Sequence, residues 1–322
     1  MSELPFGHVG GRQILETAVQ KNLNVAVVGA GLMGHGIAQV FATAGHHTTI
    51  TDTSNDALQA APSHIRRNLE LMQIEPLGVL DRIRLCGQLA DAVAGADLVI
   101  EAAPERIELK QRLFGEIAEA APQHAILASN TSVIPITEIG ERLDKQARFR
   151  LVGTHWWNPP HLVPLVEVVC TRFTSDAVFD DTFDILRAVG KCPVKVYKDV
   201  PGFIGNRLQH ALWREAISLV HRGVCDAETI DTVVKQSFGM RLPVLGPMEN
   251  ADLVGLELAR NVHQIIFPDL DNATEPSPLL LELIDGTHLG MRTGKGLRDW
   301  TPEQADQVRQ KLALHLISAN DD

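Results

Sequence analysis

The sequence predicts an α/β fold, a mostly parallel sheet followed by an all-helical C-terminal domain. Three observations carry this. Strand-like and helix-like segments alternate over the first 200 residues or so, the rhythm of a parallel sheet with helices on both faces. Inside one strand–helix–strand unit stands "GAGLMG", three glycines spaced as G-x-G-x-x-G. Beyond Pro201 the strand-like segments stop and only helical spacing remains. The expected boundary follows: residues 1–200 form the sheet domain and residues 201–322 the helical one.

Leu23 to Val28, short, apolar and rich in β-branched residues, is the expected first strand. "MGHGIAQVFATAG" has helical spacing and closes at Gly45; "HTTITD" is a second strand ending at Asp52. "DAVAGADLVIEAAPE" reads as a helix end then a strand, "RIELKQRLFGEIAEAA" as a helix, and "AILASNTS" as a strand then a loop. "FRLVGTHWW" is a strand then a loop, "LVPLVEVV" a strand or short extended run, "DAVFDDTFDILRAVG" a helix and "CPVKVYKD" a strand. In the second half "FIGNRLQHALWREAISLVHRG" is a helix stopping at Gly223. "DAETIDTVVKQSFG" opens on Asp226 as N-cap. "MENADLVGLELARNVHQIIF" is expected as one helix, "PLLLELIDG" as another, and "TPEQADQVRQKLALHLISA" as the last. "FPDLDNATEPSPLL" is the one loose stretch, a surface loop.

The strand, helix and second strand around the glycines give the motif its meaning. Gly29 permits the tight turn, Gly31 lets backbone approach a pyrophosphate, and Gly34 lets the helix pack close to the strand. The N–H groups of Leu32 and Met33, at the positive end of the helix, face the phosphates. Asp52, 23 residues after Gly29, suits the adenosine ribose hydroxyls and repels a 2′-phosphate. No arginine follows it in "TDTSND", so the expected cofactor of this Rossmann-type domain is NAD rather than NADP.

Composition bounds the rest. At 45% hydrophobic and 21% charged residues, the chain is that of a soluble globular protein. A formal charge of -11 argues against a nucleic-acid partner. No apolar run reaches the roughly 18 residues a membrane span needs, and the N-terminus lacks the basic start and apolar core of a signal peptide. Cys86, Cys170, Cys192 and Cys225 lie far apart and form no CxxC. Reduced thiols in the cytoplasm are therefore expected, and no metal.

Four polar points need one explanation. In "GTHWWNPPHLVPLVEVV", His155 and Glu167 flank a Trp-Trp-Asn-Pro-Pro turn; Ser132 lies in "SNTS" at a strand end; Asn206 lies in "DVPGFIGNR" at the start of the helical half. Ligands of open α/β sheets sit beyond the carboxyl ends of the strands, where such loops converge. A histidine poised by a carboxylate is a general base near neutral pH, and serine and asparagine offer hydrogen bonds to a substrate oxygen. A carboxylate in an apolar run, as Glu167 is, is costly to bury unless paired.

From Leu23 to about Trp300 the sequence resembles the L-3-hydroxyacyl-CoA dehydrogenase family, on the glycine turn, "SNTS", "HWWNP", Glu167 and "DVPGFIGNR". The resemblance implies that His155 is the base and Glu167 its orienting partner. It implies that Ser132 and Asn206 contact the reacting oxygen and help hold His155, and that Glu105 and Lys110 lie near the nicotinamide ribose. Trp156 and Trp157, where acyl-CoA members commonly have phenylalanine, would shape the substrate pocket or pack between the domains. Two features resemble instead the branch acting on small hydroxy acids, such as L-gulonate 3-dehydrogenase, L-carnitine dehydrogenase and a dehydrogenase of pyridoxine-acid catabolism. One is "NPPHLVPLVEVV"; the other is "GMRLPVLGPME", whose Arg241 suits a free carboxylate. "SNDALQAAPSHIRRNLELM" has no lysine for CoA phosphates, although Arg66 and Arg67 partly substitute. The resulting expectation is an NAD-dependent dehydrogenase of a small 3-hydroxy acid, a homodimer through its helical domain. A 3-hydroxyacyl-CoA dehydrogenase is the alternative, and a non-catalytic crystallin-like NAD binder a minor one, against which the intact His155–Glu167 pair speaks.

Overall fold

The computed structural model describes residues 22–319; the N-terminal segment on which the absence of a signal peptide was judged lies outside them. Eight strands form one sheet in the order β3-β2-β1-β4-β5-β6-β7-β8. They are β1 (Asn24–Val28), β2 (His47–Thr51), β3 (Ile83–Leu85), β4 (Leu98–Glu101), β5 (Ile126–Ser129), β6 (Leu151–Trp156), β7 (Leu165–Val169) and β8 (Cys192–Val196). Every neighbouring pair is parallel except β6 with β7. The order reverses between β1 and β4, the switch point at which α/β sheets open a ligand crevice.

The strands read as near-continuous apolar runs because both faces are covered. Val25 and Val27 of β1 join the core formed with Ile37, Phe41, Ile65 and Leu69. Ala26 and Val28, one residue out of phase, join the core with Phe114, Ile117 and Ile139. Helices Leu32–Thr43, Asn55–Leu71 and Asp176–Ala188 therefore lie on one face, and Ile107–Ala120, Ile136–Ile139 and Lys145–Phe149 on the other.

The chain divides into two compact units. One comprises the described residues up to 206 together with 314–319, the other residues 207–313. The regular elements of the second are helices, with isolated bridges joining Gly290 to Lys295 and Lys295 to Asp299. Asp226 caps helix Ala227–Gln236, its carboxylate accepting from Thr229 N–H at 2.7 Å. The single helix expected over "MENADLVGLELARNVHQIIF" is in fact two, Pro247–Val254 and Leu256–Ile266. Gly255 between them has φ +90°, a conformation no helix continues through.

The connection from β6 to β7 seats on helix Leu32–Thr43. A Cβ on Gly36 would lie 2.6 Å from Pro160 Cγ, so glycine is what admits Pro160 and His161 there. Lys191 Nζ donates to the carbonyls of Pro160 and Val163 at 2.6 and 3.0 Å. Burial, helped by His35 and by Lys191, lowers His161 from 6.5 to about 4. The folded value lies below the unfolded one, so between them the unfolded chain binds more protons. Stability is full above about pH 6.5 and is lost as pH falls toward 4, by about 2 kcal/mol after allowance for solvent screening. Thermal melts from pH 4 to 7 should show this acid slope in the wild type and a shallower one in His161→Gln. An equal slope in the variant assigns the loss to other groups.

Candidate active site

β6 and β7 run antiparallel with His155 directly opposite Glu167. Both are buried, at 4% and 1% exposure, and His155 Nδ1 lies 2.7 Å from Glu167 Oε2. A carboxylate only accepts, so Nδ1 carries the hydrogen and Nε2 of the neutral ring keeps its lone pair for a substrate proton. The other oxygen of Glu167 accepts from the backbone N–H groups of Ile204 and Gly205 at 2.8 and 3.0 Å. These open the helix Gly205–His221, whose positive end favours the anion. Burial pushes the Glu167 carboxyl up. The bonds from His155, Gly205 and Ile204 outweigh it and hold the group below the usual carboxylate range.

The turn that aims those N–H groups is strained. Gly202 has φ +74°, and Phe203, at φ +50°, does so with a side chain. Such a residue costs about 1–3 kcal/mol. Its ring, 1% exposed, is buried 5.6 Å from the His155 ring and packs into the core that holds the turn in place.

The loop after β5 leaves the sheet beside His155. Gly153 of β6 pairs with Ser129, and Asn130 Oδ1 accepts from the Trp156 N–H at 2.9 Å. Ser132 follows, exposed, its carbonyl accepting from Asn206 Nδ2 at 2.9 Å. The structure thus joins Ser132 to Asn206. The His155 ring itself is tied through Nδ1 to Glu167.

Behind this loop lies a charged cluster. Glu105 Oε1 accepts from the Thr131 hydroxyl and from Ser132 and Val133 N–H, the last two at 2.9 and 3.0 Å. Burial raises the Glu105 carboxyl, but Thr131, Val133, Lys110 and Ser132 together hold it below its usual range. Lys110, 1% exposed, places its ammonium 2.7 Å from Glu101 Oε1, 3.3 Å from Ala103 O and 3.4 Å from Glu105 Oε2. It donates to Glu101 and Ala103 and pairs ionically with Glu105. Glu101, fully buried at the end of β4, also accepts from Ala103 N–H and the Ser129 hydroxyl, both at 2.7 Å. Glu101 escaped the sequence reading, although a lone acid ending an apolar strand is the same signal that drew attention to Glu167.

The glycine turn is built as its motif implies. Gly29 has φ +112°, and a Cβ on it would lie 2.6 Å from Ala102 O at the end of β4. A Cβ on Gly34 would lie 1.7 Å from Gly29 O. Around Gly31 a Cβ would meet nothing within 4 Å. That opening, at the N-terminus of helix Leu32–Thr43, where no side chain caps the helix, fits a dinucleotide pyrophosphate. Asp52 sits across the turn, one oxygen accepting from Ala30 N–H and the other from Ser54 N–H, each at 2.7 Å.

The two tryptophans part company because neighbours in a strand face opposite ways. Trp157 follows His155 with its ring 5.3 Å away, and its indole fills the space where a Cβ on Gly205 would come within 2.3 Å. Trp156 points to the other face, 2% exposed, against Phe41 and under the Lys191 ammonium. Its expected place in the substrate wall is thereby corrected: Trp156 is a core residue. Arg241 lies in the helical unit after the short turn Phe238–Met240, exposed to solvent.

Comparison with known proteins gives this geometry a setting. A family described as 3-hydroxyacyl-CoA dehydrogenase, NAD binding domain, matches residues 24–200, and the C-terminal domain of the same family matches residues 202–300. A 5-formyl-3-hydroxy-2-methylpyridine 4-carboxylate 5-dehydrogenase of Mesorhizobium japonicum is 36% identical over 92% of this chain and 96% of its own. A solved structure of such an enzyme, described as an NAD+-dependent dismutase, superposes with TM-score 0.85 at 36% identity, over 92% of this chain and 97% of that one. The human mitochondrial hydroxyacyl-coenzyme A dehydrogenase is 36% identical over 85% of this chain and 90% of its own. The (S)-3-hydroxybutyryl-CoA dehydrogenase of Ralstonia eutropha superposes with TM-score 0.70 at 30% identity, over 87% of this chain and all of that one.

Proposed function

This chain belongs to the 3-hydroxyacyl-CoA dehydrogenase family and is an NAD-dependent dehydrogenase acting on CH–OH groups, and from that premise we propose that its substrate is a small 3-hydroxy acid with a free carboxylate. The observation that carries the chemistry is the buried His155–Glu167 pair, which leaves one ring nitrogen free. His155 Nε2 takes the hydroxyl proton as the carbinol carbon gives up its hydride. Bound NAD supplies the acceptor for that hydride. Glu167 keeps the ring in the proton-accepting tautomer and stabilises the imidazolium that forms. Ser132 and Asn206 hold the substrate oxygen, and Trp157 flanks it. Gly29, Gly31, Leu32, Met33 and Gly34 cradle the pyrophosphate, Asp52 takes the adenosine ribose, and Glu105 with Lys110 serves the nicotinamide end.

Three features support a free acid: the relative acting on a pyridine carboxylate, Arg241, and the absence of lysine from residues 54–72. A thioester reading is favoured by the acyl-CoA relatives at similar identity. Kinetics on free 3-hydroxy acids and on 3-hydroxybutyryl-CoA separate the two. Free acids should be the better substrates, and Arg241→Lys should raise their KM roughly ten- to a hundred-fold, the worth of a lost charged two-point contact. A silent Arg241→Lys with CoA thioesters preferred reverses the substrate class and leaves the dehydrogenase standing.

Asp52 should make the wild type prefer NAD to NADP. Asp52→Ala should narrow that preference roughly tenfold, the scale of one charge repulsion removed at the crevice edge. Equal kcat/KM for both cofactors in the wild type contradicts this role.

The helical unit supports a homodimer. Helix Leu256–Ile266 exposes Leu256, Leu258, Ile265 and Ile266, and Phe267 follows them. Each such side chain contributes about 1.5–3 kcal/mol when fully buried, and a second copy covers them without cost to the fold. The cysteines, all free in the structure, suit a cytoplasmic enzyme.

A further inference from the structure

We propose that Glu101, Lys110 and Glu105 act as one charge triad carrying a single net negative charge, and that this charge shifts the ratio of the chain's affinities for oxidised and reduced dinucleotide toward the oxidised form. The inference rests on the hydride-transfer reading above.

The charge count comes from the bonds. Both oxygens of Glu101 accept from donors only: Ala103 N–H and the Lys110 ammonium on one, the Ser129 hydroxyl on the other. That is the environment of an ionised carboxylate. Glu105 likewise meets a hydroxyl, two N–H groups and the ammonium. Two carboxylates share one ammonium, so one negative charge is left over. Glu101 and Lys110 are buried and cancel each other; Glu105, 36% exposed, bears the remainder at the surface of the crevice.

The position follows from the sheet. Glu101 ends β4, next to β1 at the switch point, and Ala102 O lies against Gly29 of the dinucleotide turn. On its other side Glu105 binds the N–H of Ser132, in the loop that leaves the sheet beside His155. The triad thus lies between the glycine turn and the proton acceptor. A dinucleotide that starts at the turn and brings its nicotinamide to the carbon that His155 serves must pass it. The nicotinamide ring carries a positive charge when oxidised and none when reduced, so a net negative site favours the oxidised form. A unit charge felt through partly screened surroundings at about 8–12 Å changes a binding ratio roughly three- to thirty-fold.

A charge series tests this without reference to turnover. NAD and NADH are titrated separately against the wild type, Glu101→Gln, Lys110→Met and the double variant, by calorimetry. Their net triad charges are -1, 0, -2 and -1 respectively. The ratio of NAD affinity to NADH affinity should fall roughly three- to thirty-fold in Glu101→Gln, rise in Lys110→Met and return to about the wild-type value in the double variant. A merely structural role predicts the opposite for the double variant, which would then be the most impaired. If Glu101→Gln does not fold, Glu105→Gln at the half-exposed position also brings the charge to zero and should lower the ratio likewise. A ratio unchanged across the series overturns the proposal. A wild type that binds neither dinucleotide overturns the hydride-transfer reading instead.

Discussion

Replacing His155 with glutamine is expected to lower kcat by roughly 10²–10⁴-fold, the usual contribution of a positioned general base. Glutamine is close to histidine in reach, and its amide donates to Glu167 as Nδ1 does, so the pocket should keep its shape. It offers no basic nitrogen where Nε2 stood. NAD affinity should change little, because the dinucleotide cradle at Gly29–Gly34 lies at the end of β1, with β4 and β5 between it and His155. Steady-state kcat and an NAD titration on the same preparation check both halves. Near-normal turnover puts the base elsewhere.

Exchanging Glu167 for glutamine should cost at least as much activity as it leaves stability intact. The amide oxygen still accepts from Ile204 and Gly205, so the helix start keeps its partner. The amide nitrogen now donates toward His155 Nδ1, which must accept and so move its hydrogen to Nε2. The ring is then in the wrong tautomer to take a proton, and kcat should fall by roughly 10²–10⁴-fold. Glu167→Ala makes a different loss. It strands two backbone N–H groups and one ring N–H in a buried place, at about 1–3 kcal/mol each, and Tm should drop with activity. Melting curves of the two variants separate them: a Glu167→Gln protein as unstable as Glu167→Ala would make the carboxylate structural first.

Much of this was legible beforehand, for identifiable reasons. Strands β1 and β4 declare themselves because segments buried on both faces are near-continuous apolar runs, and these two end just before Gly29 and at Glu101. The turn at Gly29 and the close packing at Gly34 are readable from the glycine spacing within its strand–helix–strand setting, and a Cβ at either would meet backbone at 2.6 or 1.7 Å. A lone acid in an apolar strand signals that Glu167 needs a partner, and the family resemblance names His155 as that partner. Two-residue alternation sets Trp157, and not Trp156, on the face of His155, and assigning both tryptophans to the pocket passed over it. The second hold on Glu167, by Ile204 and Gly205, comes from the left-handed turn at Gly202 and Phe203, and phenylalanine is no signal for positive φ. The break at Gly255 was masked by apolar spacing continuous through it.

The central claim, that the carbinol hydrogen leaves as hydride to bound NAD while His155 takes the hydroxyl proton, is tested most directly by isotope. The hydroxy acid that turns over best is prepared with deuterium on its carbinol carbon, and the reduced cofactor is analysed by mass and NMR. The account predicts that the deuterium appears at C4 of the nicotinamide. Deuterium released to solvent, with none in the cofactor, would contradict it.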